Sequence, residues 1–253
     1  MKPEEDVLMD ETAQFHTTRW SIIMVAAQDD TGAGKAALAK LCQLYWYPLY
    51  AFARRRGYSP HDAQDLTQGF FLQILENRTF ARADQLKGKF RSFLLACFQN
   101  YLSVEVQRAR SQKRGGDREF VFLDMETAES RYELEPPDQL TAQKIFDARW
   151  AVTLLGAAMT RLREQYEIQG KLAIFEGLKA FLDPAKSSEP LSYEQAASAL
   201  GVGLGAAKTL IHRLRKQYSA LVREEIGRTV SDPREVNEEI HALCEALIAA
   251  EGR

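Results

Sequence analysis

Residues 191–218, LSYEQAASALGVGLGAAKTLIHRLRKQY, limit the local structure of this chain more tightly than any other stretch. Ser192 is a helix-capping residue type, and Gln195 occupies the reciprocal position three residues on. Leu191 outside and Ala196 inside sit where a hydrophobic staple forms, a weak one with alanine. Gly201 accepts the left-handed conformation that ends a helix, and Gly203-Leu204-Gly205 follow as a short turn. A second helix then places Ala207, Ile211, Leu214, Tyr218 and Leu221 on one stripe, at alternating spacings of four and three. Its other face carries Lys208, Thr209, His212, Arg213, Arg215 and Lys216, with no acid between Gly205 and Ser219. Two helices joined by a glycine-bounded turn, the second with a basic hydrogen-bonding face, are what insertion into the major groove of DNA requires. A plain helical hairpin with a solvated charged face is the competing reading. The turn and the single sign of the face weigh against it.

The whole-chain balance hides this asymmetry. With 33 Lys and Arg against 35 Asp and Glu in 253 residues, the formal net charge is only -2. Locally the signs separate. In residues 100–116, Arg108, Arg110, Lys113 and Arg114 face only Glu105. In residues 119–138, Glu119, Asp124, Glu126, Glu129, Glu133, Glu135 and Asp138 face only Arg131. Two basic segments separated by an acidic one suit a protein that grips a polyanion at two places.

The 45% hydrophobic and 27% charged fractions are those of an ordinary globular chain. The acidic N-terminus lacks the apolar core and cleavage site of a signal peptide, and no run of about eighteen apolar residues occurs. No membrane insertion and a cytoplasmic location are therefore expected. Cys42, Cys97 and Cys244 are scattered with no paired spacing, and each is expected as a buried, inert thiol.

The pattern predicts an all-α fold of two helical domains joined by an acidic flexible linker, the second containing the helix-turn-helix. The divisions fall at 17–115, 116–138, 139–228 and 229–253. In the first domain a helix starts near Arg19, with Trp20, Ile23 and Met24 on its apolar side. Another covers residues 35–56, where Pro48 is expected to bend or break it. Ser59 caps a third, with Pro60 in the first position and Asp62 in the first turn. A long helix then runs over 89–114, and the linker beyond it, containing Pro136-Pro137, is expected to hold little regular structure. Asp232-Pro233 opens a terminal helix whose Val236, Ile240, Leu243 and Leu247 demand burial. This acidic helix is expected to pack on the second domain, either as a buttress or as a lid over the basic face at 208–216.

Two segments of the first domain carry candidate chemistry. DAQDLTQGFF, residues 62–71, sets Asp62, Asp65 and Gln68 on one polar face beside an apolar stripe of Ala63, Leu66, Phe70 and Ile74. Such a face is either solvated or a docking surface. Residues 88–116, GKFRSFLLACFQNYLSVEVQRARSQKRGG, interleave aromatics with bases, a composition that stacks unpaired bases while holding phosphates. Phe90, Phe93 and Phe98 read equally well as core. An enzyme fares poorly. The segment from Thr31 to Ala36 has the outline of a phosphate loop, but Asp29 stands where its first glycine belongs and Ala36 lacks the metal-binding hydroxyl. The histidines, His16, His61, His212 and His241, are dispersed, so neither metal nor cofactor is expected.

These three segments together resemble bacterial RNA polymerase sigma factors, specifically the small extracytoplasmic-function group that keeps two promoter domains. DAQDLTQGFF is similar to the family's helix that binds the clamp of the polymerase's largest subunit. The segment at 88–116 is similar to the part that melts and reads the minus-ten element, and 191–218 to the minus-thirty-five reader. The order agrees over roughly residues 41–221, and TRWS near Arg19 with the DLTQGFF variant resembles a subgroup with N- and C-terminal extensions. Gly69 departs from the family's frequent acid. Ala206, Ala207 and Leu210 stand where threonine or serine, valine and arginine are common.

The resemblance implies a transcription initiation factor without catalytic residues. Its partners would be core RNA polymerase, promoter DNA and an anti-sigma factor or other regulator, with nucleoid association in holoenzyme. Asp62, Asp65, Gln68 and Phe71 would contact the polymerase. Arg91, Asn100, Tyr101, Arg108, Arg110, Lys113 and Arg114 would serve the minus-ten element. Lys208, Thr209, His212, Arg213, Arg215 and Lys216 would serve the minus-thirty-five element. A one-component helix-turn-helix regulator acting without core polymerase is the alternative.

Overall fold

Aromatic side chains begin the core. The computed structural model describes residues 32–77, 89–111, 125–133, 140–182 and 192–251, and every regular element among them is helical. Helices α1 (Gly32–Arg55), α2 (Pro60–Asn77) and α3 (Phe90–Ser111) meet around Phe52, Phe70 and Phe98. The Phe98 ring lies 6.1 Å from that of Phe52 and 5.0 Å from that of Phe70. At the start of α2 the Ser59 hydroxyl accepts from the Asp62 amide at 3.1 Å, as the capping pattern predicts. Pro48 does not break α1, which continues through it from Gly32 to Arg55. A proline costs a helix interior about 3 kcal/mol. Burial of a large apolar side chain returns about 1.5–3 kcal/mol, and Tyr45, Leu49, Tyr50 and Phe52 are all buried around it. The helix expected near Arg19 lies outside the described residues.

The acidic linker also departs from its expectation, because α4 (Met125–Glu133) is helical and packs back on α1. Specific pairing explains it. Glu129 accepts from Arg54 Nε at 3.0 Å and Arg54 Nη2 at 2.6 Å, and from the Tyr50 hydroxyl. The Arg131 guanidinium sits 3.9 Å from the centre of the Tyr47 ring. These contacts hold a segment whose composition alone reads as flexible.

Helix α5 (Ala142–Ile168) joins the molecule together. The Thr141 hydroxyl caps it, accepting from the Lys144 amide at 3.3 Å. At 27 residues it is long enough to serve two separate clusters. Its first half buries Ile145, Phe146, Trp150 and Leu154 among residues of α1 and α3. The Trp150 ring stacks on Tyr45 with centroids 4.2 Å apart and planes 17° from parallel. Its second half buries Ala158, Leu162 and Tyr166 with α6 (Leu172–Leu178), α7 (Tyr193–Leu200) and α8 (Leu204–Gly227). Packing therefore runs across position 139, where the sequence suggests a domain boundary. Arg161 of α5 reaches Glu224 at 3.0 Å and Glu225 at 2.7 Å, fastening the later turns of α8.

Asp232 caps the short turn before α9 (Val236–Glu251), accepting from the Arg234 amide at 2.8 Å. This terminal helix docks on α5 and on the C-terminal end of α8. The lid over 208–216 is not formed, since the basic residues of that stretch are all exposed. Cys244, expected as buried, falls between the buried positions of α9 and is exposed. Cys42 is half-buried, and burial pushes its thiol up to about 11.

The Arg54 hydrogen bond holds the Glu129 carboxyl below its ordinary value of 4.5. A depressed carboxylate contributes stability that is complete above the unfolded value and lost as pH falls through the folded one. Amide-exchange protection of residues 125–133 should follow this curve, full above pH 4.5 and falling below it. In Glu129→Gln it should be weak at every pH. Protection that ignores pH in the wild-type chain would contradict the pairing.

Candidate nucleic-acid interface

Local chemistry shapes the turn between α7 and α8. The Ser192 hydroxyl accepts from the Glu194 and Gln195 amides at 3.2 and 3.3 Å. The same hydroxyl donates to the Glu194 carboxylate at 2.7 Å. Leu191 lies outside the described residues. Gly201 ends α7 at φ 63°, and the Val202 amide reaches back to the Ala197 carbonyl at 3.0 Å. Gly203 opens α8 in an extended conformation, its carbonyl accepting from the Ala207 amide at 3.0 Å.

Within α8, Ala207, Ile211, Leu214 and Leu221 are buried, and the half-buried Tyr218 donates its hydroxyl proton to the Leu155 carbonyl at 3.1 Å. Leu210 also packs toward this cluster. The opposite face leaves Lys208, Thr209, His212, Arg213, Arg215 and Lys216 exposed together. Not all are equally available. Thr209 donates to the Gly205 carbonyl at 3.0 Å, and Arg215 Nε to the Phe181 carbonyl at 3.2 Å. Lys208 lies 5.9 Å from the Tyr193 ring centre and shares an open cleft with His212 and Arg215. A face of this kind offers several cationic and hydrogen-bonding groups to one groove.

On α2, Asp62 and Asp65 are exposed, with Asp65 3.1 Å from His61 Nδ1, a neighbour that sequence reading had not placed in the site. Gln68 is half-buried and Phe71 is buried, so Phe71 supports this face from beneath rather than presenting itself. Asn100 and Tyr101 line an apolar cleft with Phe70, Ile74 and Val104. A Cβ at Gly69 would lie 2.4 Å from the Tyr101 hydroxyl oxygen and 3.5 Å from the adjoining ring carbon. The departure at Gly69 thus has a packing reason: it lets the ring lie against α2. Arg108 and Arg110 fall in the last turns of α3, whereas Lys113 and Arg114 lie outside the described residues.

Arg91 behaves differently from its expected role. It is 7% exposed, and its guanidinium is spent on carboxylates. Nε donates to Glu239 Oε1 at 2.5 Å, Nη2 to Glu239 Oε2 at 3.3 Å, and Nη1 to Asp147. Lys89 Nζ lies 2.9 Å from the same Glu239 and 3.6 Å from Glu238. Burial alone would lower the Arg91 guanidinium, but the two carboxylates override it and raise it. Burial likewise opposes the charge on Glu239, yet hydrogen bonding from Arg91 and Lys89 holds that carboxyl below its ordinary range. At Asp147 burial prevails and pushes the carboxyl up, which leaves Glu239 as the firmer partner. Sequence reading missed this cluster because its partners stand 56 and 148 residues away from Arg91, with no spacing signal to join them.

The chain is similar to an extracytoplasmic-function RNA polymerase sigma factor, SigE of Mycolicibacterium smegmatis. The two are 28% identical over 170 residues, covering 67% of this chain and 55% of that protein. The chain thus spans little more than half the length of this relative. No family model and no solved structure matches it. Among the described residues, no helix is long and apolar enough to cross a membrane.

The Gly69 contact is testable by a double-mutant cycle. Glycine to alanine in a helix interior gains about 1 kcal/mol from propensity alone. Gly69→Ala should forfeit that gain in the wild-type chain, where the Tyr101 hydroxyl must move. It should recover about 0.5–1 kcal/mol in a Tyr101→Phe background. Denaturant unfolding measures both, and equal effects in the two backgrounds would show that the approach carries no strain.

Proposed function

We propose that this chain is a sigma factor that binds core RNA polymerase in the cytoplasm and directs promoter-specific initiation. The exposed, single-signed face of α8, set on a glycine-bounded turn, is the observation that carries the reading. Similarity to a sigma factor over two thirds of the chain supports it. In this reading Lys208, His212 and Arg213 read base edges of the minus-thirty-five element, with Thr209 beside them. Arg215 and Lys216 bind phosphate and set register without reading sequence. The tether of Arg215 to the Phe181 carbonyl pre-orients its side chain for that positioning task.

Asp62, Asp65 and Gln68 form the polar face that docks on the polymerase, with Phe71 holding that face in place. Asn100 and Tyr101, with Arg108, Arg110, Lys113 and Arg114 beyond them, serve the minus-ten element as the duplex opens. Base stacking and phosphate contact together would hold the displaced strand. No residue of the chain is assigned a catalytic role, since bond formation belongs to the polymerase. An anti-sigma factor would act by covering one of these surfaces.

Transcription in vitro with purified core polymerase on a genomic library tests the proposal. Discrete start sites that require the chain are expected, and promoter recognition by the chain alone would overturn it in favour of a one-component regulator. Within that assay Asp65→Lys should weaken core binding by about tenfold or more at unchanged helical content. Arg213→Ala should cost about 1–3 kcal/mol on the specific promoter and little on random DNA. Equal losses on both would refute the assignment of Arg213 to base reading.

A further inference from the structure

The two cationic faces of this molecule are not equally free. The basic face of α8 is open to solvent, but Lys89 and Arg91, at the start of α3, are already bound to anions supplied by the chain itself. Glu239 of α9 lies fully buried between them, and Asp147 of α5 completes the cluster. The Phe90 amide also donates to the Thr229 carbonyl at 3.1 Å, so α3 begins against the segment that leads into α9. A carboxylate held by arginine through two hydrogen bonds, with a lysine beside it, uses the chemistry by which proteins hold backbone phosphate.

We propose that α9 is a built-in competitor of nucleic acid, its Glu239 occupying a phosphate site formed by Lys89 and Arg91 until the displaced promoter strand takes its place. The inference rests on the sigma-factor reading for the identity of the strand. Its physical basis is internal to the chain.

The energetics favour a contact that opens. A buried ion pair is commonly worth no more than an apolar replacement, because desolvation cancels most of the attraction. Apolar packing holds α9 too: Leu243, Ala246 and Ala250 are buried, and Val236, Ile240, Leu247 and Ala249 pack on the same core. The charge cluster is thus exchangeable for a polyanion that satisfies the same cations, while the apolar contact sets how far the equilibrium lies toward the docked form. Release would expose Lys89 and Arg91 at the start of the helix that carries Asn100 and Tyr101 further along. The pairs of Arg161 with Glu224 and Glu225, which fasten α8 to α5, include no residue of α9.

Glu239→Gln keeps the shape of the side chain and removes its charge, leaving Arg91 with Asp147 alone. If the locked form holds nine molecules in ten or more, this variant should bind a single-stranded oligonucleotide about tenfold tighter than wild type without polymerase. Its affinity should also fall more steeply with salt, as added phosphate contacts require. Arg91→Ala in the same background should abolish the gain. Unchanged or weaker binding by a folded Glu239→Gln chain would overturn the proposal.

A second measurement needs no variant. Hydrogen exchange of the wild-type chain, with and without saturating oligonucleotide, should show residues 236–250 losing protection when the strand binds. Protection that persists at saturation would overturn the proposal even if Glu239→Gln fails to fold. Neither arm uses polymerase. A chain that opens on DNA but never starts transcription with core enzyme would defeat the functional reading and leave the competitor standing.

Discussion

The stacking of Trp150 on Tyr45 is the contact on which the rest of the arrangement depends. It fixes the first half of α5 into the aromatic core of α1 and α3, while the second half of the same helix anchors the cluster beneath α7 and α8. A helix rises 1.5 Å per residue, so α5 spans about 40 Å and ties together surfaces at both of its ends. Such a continuous rod fixes the position of the basic face on α8 relative to the first helices. Removing either ring would open a cavity where α5 meets α1 and weaken the contact that Ile145, Phe146 and Leu154 share with it.

From this spine follows a difference between the two basic surfaces. The face of α8 lies opposite its buried stripe, so whatever covers the stripe leaves Lys208, His212 and Arg213 in solvent. The start of α3 lies where α5 and α9 converge, and Lys89 and Arg91 are drawn into carboxylates there. Two elements of similar charge thus reach opposite states through packing alone. One set of cations is thus open to solvent while the other is engaged by carboxylates of the chain itself.

Much of the geometry was legible in the sequence where short-range chemistry decides it. Ser59, Ser192 and Asp232 cap helices because a side-chain oxygen reaches amides two or three residues on, and no distant partner is needed. Gly201 ends α7 for an equally local reason, its left-handed backbone. The stripe from Ala207 to Leu221 was visible because helical periodicity is itself a statement about burial. At Pro48 the local cost that would break a helix is offset by packing supplied from the aromatic residues around it. The helix at α4 was hidden by its acidic composition, since its order depends on Arg54 and Tyr50, 75 and 79 residues distant. The engagement of Arg91 was hidden in the same way. Gly69 stood out in the sequence only as a departure from the family's frequent acid, and the ring of Tyr101 against it supplies the steric reason.

If α5 truly unites the two clusters, the chain should unfold as one cooperative unit. Differential scanning calorimetry measures this directly. The account predicts a single transition whose calorimetric enthalpy equals its van't Hoff enthalpy. Two resolved transitions, or a calorimetric enthalpy well above the van't Hoff value, would show that the clusters melt independently and contradict the shared spine.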